Sequence, residues 1–122
     1  MTDDDIRRAA SAELRGYWAH AANRPLWWLN PVIADRGLTS MARGRHTLQT
    51  GQLLTKTEAI EQAHAPAWLE DQLRVRRQGQ PVASPRIRTA LTAWRDARRT
   101  VADACRRVPA DNSRVHERIT VK

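Results

Sequence analysis

The sequence predicts an all-α bundle of five to six helices with no sheet. Three observations carry that expectation. Apolar residues recur at three- and four-residue spacing through most of the chain. Helix-start and helix-stop signals punctuate those stretches at short intervals. The only alternating segment, Val115, Glu117, Ile119 and Val121, is short, polar and close to the last residue, and reads better as fraying than as a strand.

The first helix is capped by Thr2 or Asp3, and the acidic Asp3-Asp4-Asp5 turn suits the positive end of its dipole. Its buried stripe is Ile6, Ala10, Leu14, Tyr17, Trp18 and Ala21, and it ends near Asn23. The stretch "NRPLWWLNPVIADRG" holds two prolines and Trp27-Trp28, which suggest a short helical turn and a packed connection. A helix from about Ala34 to Thr50 buries Leu38, Met41, Ala42 and Leu48 and stops at Gly51, a residue that adopts the left-handed conformation at little cost.

Thr55-Lys56-Thr57-Glu58 has the reciprocal side-chain pattern of a capping box and opens a helix running to about His64. Pro66 suits the first position of the next, which passes through Trp68, Leu69, Leu73 and Val75 to Gly79. The linker "QGQPVASP" leads to the most regular segment, where Ile87, Trp94, Val101 and Val108 stand seven apart. Leu91, Ala97, Ala104 and Cys105 fill that stripe, and Cys105 is expected as a small buried hydrophobe. The domain so defined covers residues 1–108, with 109–122 as a polar tail.

Composition narrows the function classes. The chain has 122 residues, one domain's worth, and 41 % of them are hydrophobic, as in a soluble globular protein. No apolar run approaches the roughly 20 residues that cross a bilayer, and the start is acidic where a signal peptide is basic, so a cytoplasmic location with no membrane partner is expected. A single cysteine excludes an internal disulfide and a cysteine-based zinc site. The net charge of +8 favours a polyanionic or phosphate-bearing partner. Nineteen of the 21 basic residues are arginine, however, a skew that GC-rich codon usage alone produces.

Motifs of common catalytic sites are absent: no Gly-rich phosphate loop, no Gly-x-Ser-x-Gly, no His-Glu-x-x-His. His20, His46, His64 and His116 share no ligand spacing and read as surface or boundary residues. Most carboxylates have an arginine three or four positions away, as Glu70 has Arg74 and Asp103 has Arg106 or Arg107. Lys56 is the anomaly, since a cation at the first position of a helix opposes the dipole by a few tenths of a kcal/mol. It is either a tolerated surface lysine or part of an anion site. Arg43 reads as a surface arginine paired with Asp35 or a neighbour.

Three blocks, "ELRGYW" (13–18), "LTSMARGRHTLQTGQLLTKTEAIEQA" (38–63) and "AWLEDQLRVRRQG" (67–79), follow one another in a recognisable order. In sequence and spacing they resemble the C-terminal helical domain of aminoglycoside (streptomycin/spectinomycin) adenylyltransferases, over roughly residues 5–108. The middle block is the most specific, with Ala-Arg on one helix, Thr-Gly at its end and Thr-Lys opening the next. The resemblance implies that Arg43, Lys56 and Arg76 contact ATP, and that Asp35 and Trp28 belong to the wall facing the aminoglycoside. In that family a separate nucleotidyltransferase domain carries a Gly-Ser and an Asp-x-Asp that holds magnesium. This chain has no Gly-Ser, and its only Asp-x-Asp is Asp3-Asp4-Asp5.

The expectation is therefore an accessory helical domain that is catalytically incompetent alone: a truncated gene, an excised domain or half of a split enzyme. It would engage ATP and magnesium only with a nucleotidyltransferase domain supplied in trans. The alternative is a small basic helical adaptor that binds nucleic acid or a protein partner.

Overall fold

The computed structural model describes residues 2–107. In chain order it contains α1 (Asp3–Glu13), a π-helical turn (Leu14–Trp18), α2 (Ala19–Ala22) and a 3-10 turn (Pro25–Leu29). These are followed by α3 (Pro31–Thr50), α4 (Lys56–Glu61), α5 (Ala67–Arg77) and α6 (Arg86–Arg107). α1, the π turn and α2 form one unbroken rod, so the fold is the all-α bundle the sequence predicts, with no strand among the described residues. Val108 and the polar tail 109–122 lie outside the described residues.

Local chemistry sets the helix ends. The Thr2 hydroxyl accepts from the Asp5 N–H and the Asp5 carboxylate accepts from the Thr2 N–H, both at 3.2 Å. α3 begins at Pro31, ahead of the expected Ala34, because Asn30 Oδ1 accepts from the Val32 N–H at 3.0 Å and proline suits the first helical position. It stops at Gly51, whose φ of 74° lets its N–H turn back to the Thr47 carbonyl at 2.8 Å. α4 ends at Glu61, short of His64, and Pro66 caps α5 from outside rather than occupying its first turn.

The π turn corrects one reading of the first helix. A single wider turn places Leu14 and Trp18 in the core but rotates Tyr17 outward, where it is 51 % exposed. The core joins these residues to Trp28, Leu38, Met41, Ile60, Leu69 and Leu73. Trp28 packs closely against α3 because Gly37 offers no side chain there, and its Nε1 donates to the Ala21 carbonyl at 3.0 Å.

α6 packs along α3 with a face of small residues: Ala90, Ala93, Ala97, Val101 and Ala104 are its buried apolar positions. The expected stripe is corrected in three places, since Ile87 is 69 % exposed, Leu91 is exposed and Cys105 is exposed. A seven-residue repeat drifts about 20° per heptad on a straight helix, so members far apart in the series do not share one face. Alanines also allow the closer helix approach, which leaves the bulky residues at the margin. Trp94 sits at that margin, half-buried, with Nε1 donating to the Ala22 carbonyl at 2.9 Å.

Two ion pairs tie distant segments together. Arg45 Nη1 donates to Asp96 Oδ1 at 2.7 Å and to Thr100 Oγ1 at 2.8 Å, joining α3 to α6, and His64 Nδ1 lies 3.3 Å from the same carboxylate oxygen. Burial pushes the Asp96 carboxyl up, against the pull of the Arg45 guanidinium and of His64. The second pair, Asp35 with Arg76, belongs to a cavity described below.

Candidate functional site

Where the rod of α1 and the π turn crosses α3, the surface opens into a cleft of about 280 Å³. Its walls include Glu13, Leu14 and Trp18 from one side and Ser40, Arg43, Gly44 and Thr47 from the other, with Leu53 at the α3–α4 connection. A second hollow of about 250 Å³ shares Glu13, Trp18 and Ser40 with it and adds Tyr17, Ile33 and Arg36. The approach of the two helices is set by Gly44, where a Cβ would come within 2.9 Å of Leu14 Cδ1. The π turn builds one wall, since it presents Tyr17 outward beside the edge-on ring of Trp18, 4.8 Å between centroids.

The polar groups of this cleft have unused capacity. Arg43 is half-buried, and neither its guanidinium nor that of exposed Arg36 makes a hydrogen bond or ion pair among the described residues. Glu13 accepts from Trp18 Nε1 at 3.3 Å and has no arginine or lysine partner among the described residues. Arg43 and Ser40 in the cleft and Arg36 in the adjoining hollow offer donors, and a guanidinium fork matches phosphate oxygens in two-bond geometry, while the Glu13 carboxylate lines both hollows and opposes an anion beside it.

Lys56 opens α4 three residues beyond Leu53, and it is exposed with no ion pair among the described residues. The capping box around it is complete: Thr55 Oγ1 accepts from the Glu58 N–H at 3.1 Å and Glu58 Oε1 accepts from the Thr55 N–H at 3.0 Å. The Thr55 backbone N–H, with the Thr55 hydroxyl, holds the Glu58 carboxyl below its ordinary value. The helix start is thus fixed by Thr55 and Glu58, which leaves the Lys56 side chain unneeded for that purpose.

Trp28, Asp35 and Arg76 come together elsewhere, around a cavity of about 230 Å³ between α3, α5, the 82–84 stretch and the start of α6. Arg76 Nε and Nη2 donate to Asp35 Oδ2 and Oδ1 at 2.8 and 2.9 Å, and Nη1 donates to the Val82 carbonyl at 2.8 Å and the Ser84 hydroxyl at 2.7 Å. Ser84 donates in turn to Gln72. The bidentate pair and the two Nη1 contacts together tie α5 and the 78–85 linker to α3 and use four of the five guanidinium N–H groups. The alternative partner considered for Arg43 is therefore taken, because Asp35 serves Arg76. Trp28 lines the cavity but is 1 % exposed.

Of the five residues singled out from sequence, Trp28, Asp35 and Arg76 line one cavity and are engaged in holding the fold, Arg43 lines the other cleft, and Lys56 lines neither. Glu13, Tyr17, Trp18, Arg36 and Ser40 were not singled out as site residues, since only the crossing of two helices brings them together. The Asp-x-Asp is committed locally: Asp4 pairs with Arg7 at 3.4 Å, Asp5 completes the Thr2 cap, and Asp3 packs beneath Gly51. Among the described residues no group of three or more His, Cys, Asp or Glu is placed to hold a metal ion, and no helix is long and apolar enough to cross a membrane. No family model, curated protein or solved structure matches the chain.

Proposed function

We propose that this chain is an accessory helical domain of the aminoglycoside-adenylyltransferase type, which contributes phosphate contacts to ATP and one wall of an acceptor pocket. The observation that supports the reading is the cleft at the crossing of α1 and α3. Two of the three segments that carry the resemblance, Glu13–Trp18 and Leu38–Ala63, line it from opposite sides, and Arg43 on the second has no partner among the described residues. Arg43 would take phosphate oxygens, and Lys56, on the segment leaving the cleft, would add a second cation. Arg76 stays outside the contact set because its donors hold Asp35 and the linker.

Among the described residues no group of carboxylates is placed to hold magnesium, and within Asp3-Asp4-Asp5 Asp4 pairs with Arg7 and Asp5 completes the Thr2 cap. Two-metal phosphoryl transfer requires carboxylates that clamp the metal ions at the attacking and leaving oxygens, so catalysis would rest on a nucleotidyltransferase domain supplied in trans. The purified chain is expected not to adenylylate streptomycin or spectinomycin with ATP and magnesium. Turnover above a heat-killed control, retained after further purification, would overturn the reading.

A further inference from the structure

We propose that the solvent-facing spine of α6 is a docking surface for the phosphate backbone of a nucleic-acid duplex. Arg88, Arg95, Arg99 and Arg106 are all exposed and are separated by seven, four and seven residues. At about 100° per residue those steps keep the four within roughly 20° of one line, and at about 1.5 Å per residue the line is about 27 Å long. The line runs opposite the buried alanine face of the same helix. Arg98 flanks it, its guanidinium 5.0 Å above the Trp94 ring, and a shallow groove of about 460 Å³ is lined by Arg95, Arg98, Arg99, Ala102, Asp103 and Arg106.

GC-rich codon usage would account for the number of arginines, but not for how they are compensated. Of the ten described arginines outside α6, half meet acids: Arg7 with Asp4, Arg8 with Asp5, Arg45 with buried Asp96, Arg74 with Glu70 and Asp71, and Arg76 with Asp35. On α6 the single exposed acid among the described residues is Asp103, which pairs with Arg106. A row of like charge on one straight edge is costly in self-repulsion and is relieved by a partner of opposite charge and similar length. Duplex DNA carries one negative charge per ~1.7 Å of axis, and its grooves and strands admit a helix edge. Trp94, the one aromatic on this helix, is half-buried beneath Arg98, so the face has no stacking platform for single-stranded bases. No residue of the spine lines the α1–α3 cleft, so the two proposals stand or fall separately.

The test is fluorescence anisotropy of the full chain with a labelled 20-base-pair duplex of random sequence across a salt series. With about four phosphates neutralised, the log–log slope is expected near −4. Arg95→Glu with Arg99→Glu should weaken binding at least tenfold. Arg15→Glu with Arg77→Glu, an equal change in net charge on exposed positions of other elements, should change it less than about threefold. Circular dichroism verifies that both variants are folded. Absence of binding at low salt, a flat salt dependence, or equal losses in the two double variants would overturn the proposal. So would Arg95- and Arg99-dependent binding to phosphatidylserine vesicles with none to the duplex.

Discussion

Replacing Gly37 by alanine tests whether Trp28 is seated on α3 as described. A Cβ at that position would lie 2.2 Å from Trp28 Cζ3 and 2.7 Å from Cη2. Carbon atoms in contact prefer about 3.5–4.0 Å, so the ring would have to retreat by more than about 1 Å. It has little room to do so, because Nε1 is tied to the Ala21 carbonyl and the ring stands 5.9 Å from Trp18, centroid to centroid. Overpacking of this kind costs about 1–3 kcal/mol, and a clash this deep belongs at or above the upper end. Alanine returns about 1 kcal/mol of helix propensity, so the net loss is expected near 2 kcal/mol. Gly16→Ala is the counterpart: nothing lies within 4 Å of its Cβ position, so the change should be neutral or stabilising by up to about 1 kcal/mol. Urea denaturation followed by circular dichroism measures both. A Gly37→Ala protein as stable as the parent would refute the Trp28 packing and the path of the 3-10 turn with it.

Two further expectations concern stability. Trp94→Ala should cost about 3 kcal/mol, the low end for a tryptophan because the ring is half-buried, and a urea midpoint moved no further than by Arg98→Ala would mean that α6 is not docked. The cap carboxylates of Asp5 and Glu58 are held below their ordinary values, chiefly by the backbone N–H groups of Thr2 and Thr55. Their contribution is therefore present above the unfolded carboxyl range, near pH 4, and is lost as pH falls through the lowered folded values. Asp96, raised by burial, acts in the opposite sense and gains on acidification. Asp5→Asn with Glu58→Gln should flatten the acid limb of a midpoint-versus-pH profile, and an unchanged limb would show that the caps do not set it.

Features fixed by neighbouring residues were legible in the sequence. The Thr55 capping box, the Gly51 stop and the Leu38, Met41 and Ala42 stripe of α3 arise within a few residues, so pattern reading finds them. The π turn leaves no such trace, because one widened turn changes the phase of Tyr17 without changing composition. On α6 the large residues Ile87 and Leu91 drew the stripe toward themselves, whereas the close approach to α3 is made by alanines. Asp96 escaped notice for a related reason: its partners are 51 residues away at Arg45 and 32 away at His64, beyond any helical spacing rule. The candidate site divides along the same line. Lys56 stands out through a local motif and Arg43 through the resemblance, while Glu13, Tyr17 and Arg36 become neighbours of Ser40 only once two helices have crossed.

The most direct measurement of the central claim is the affinity for ATP, with magnesium, of the chain in complex with a complementing nucleotidyltransferase domain. Arg43→Ala and Lys56→Ala should each weaken it by about 1.5–3 kcal/mol, roughly 10- to 150-fold, as expected for loss of a charge-assisted contact to phosphate. Parental affinity in both variants, with the complex intact, would contradict the assignment of the α1–α3 cleft to a nucleotide.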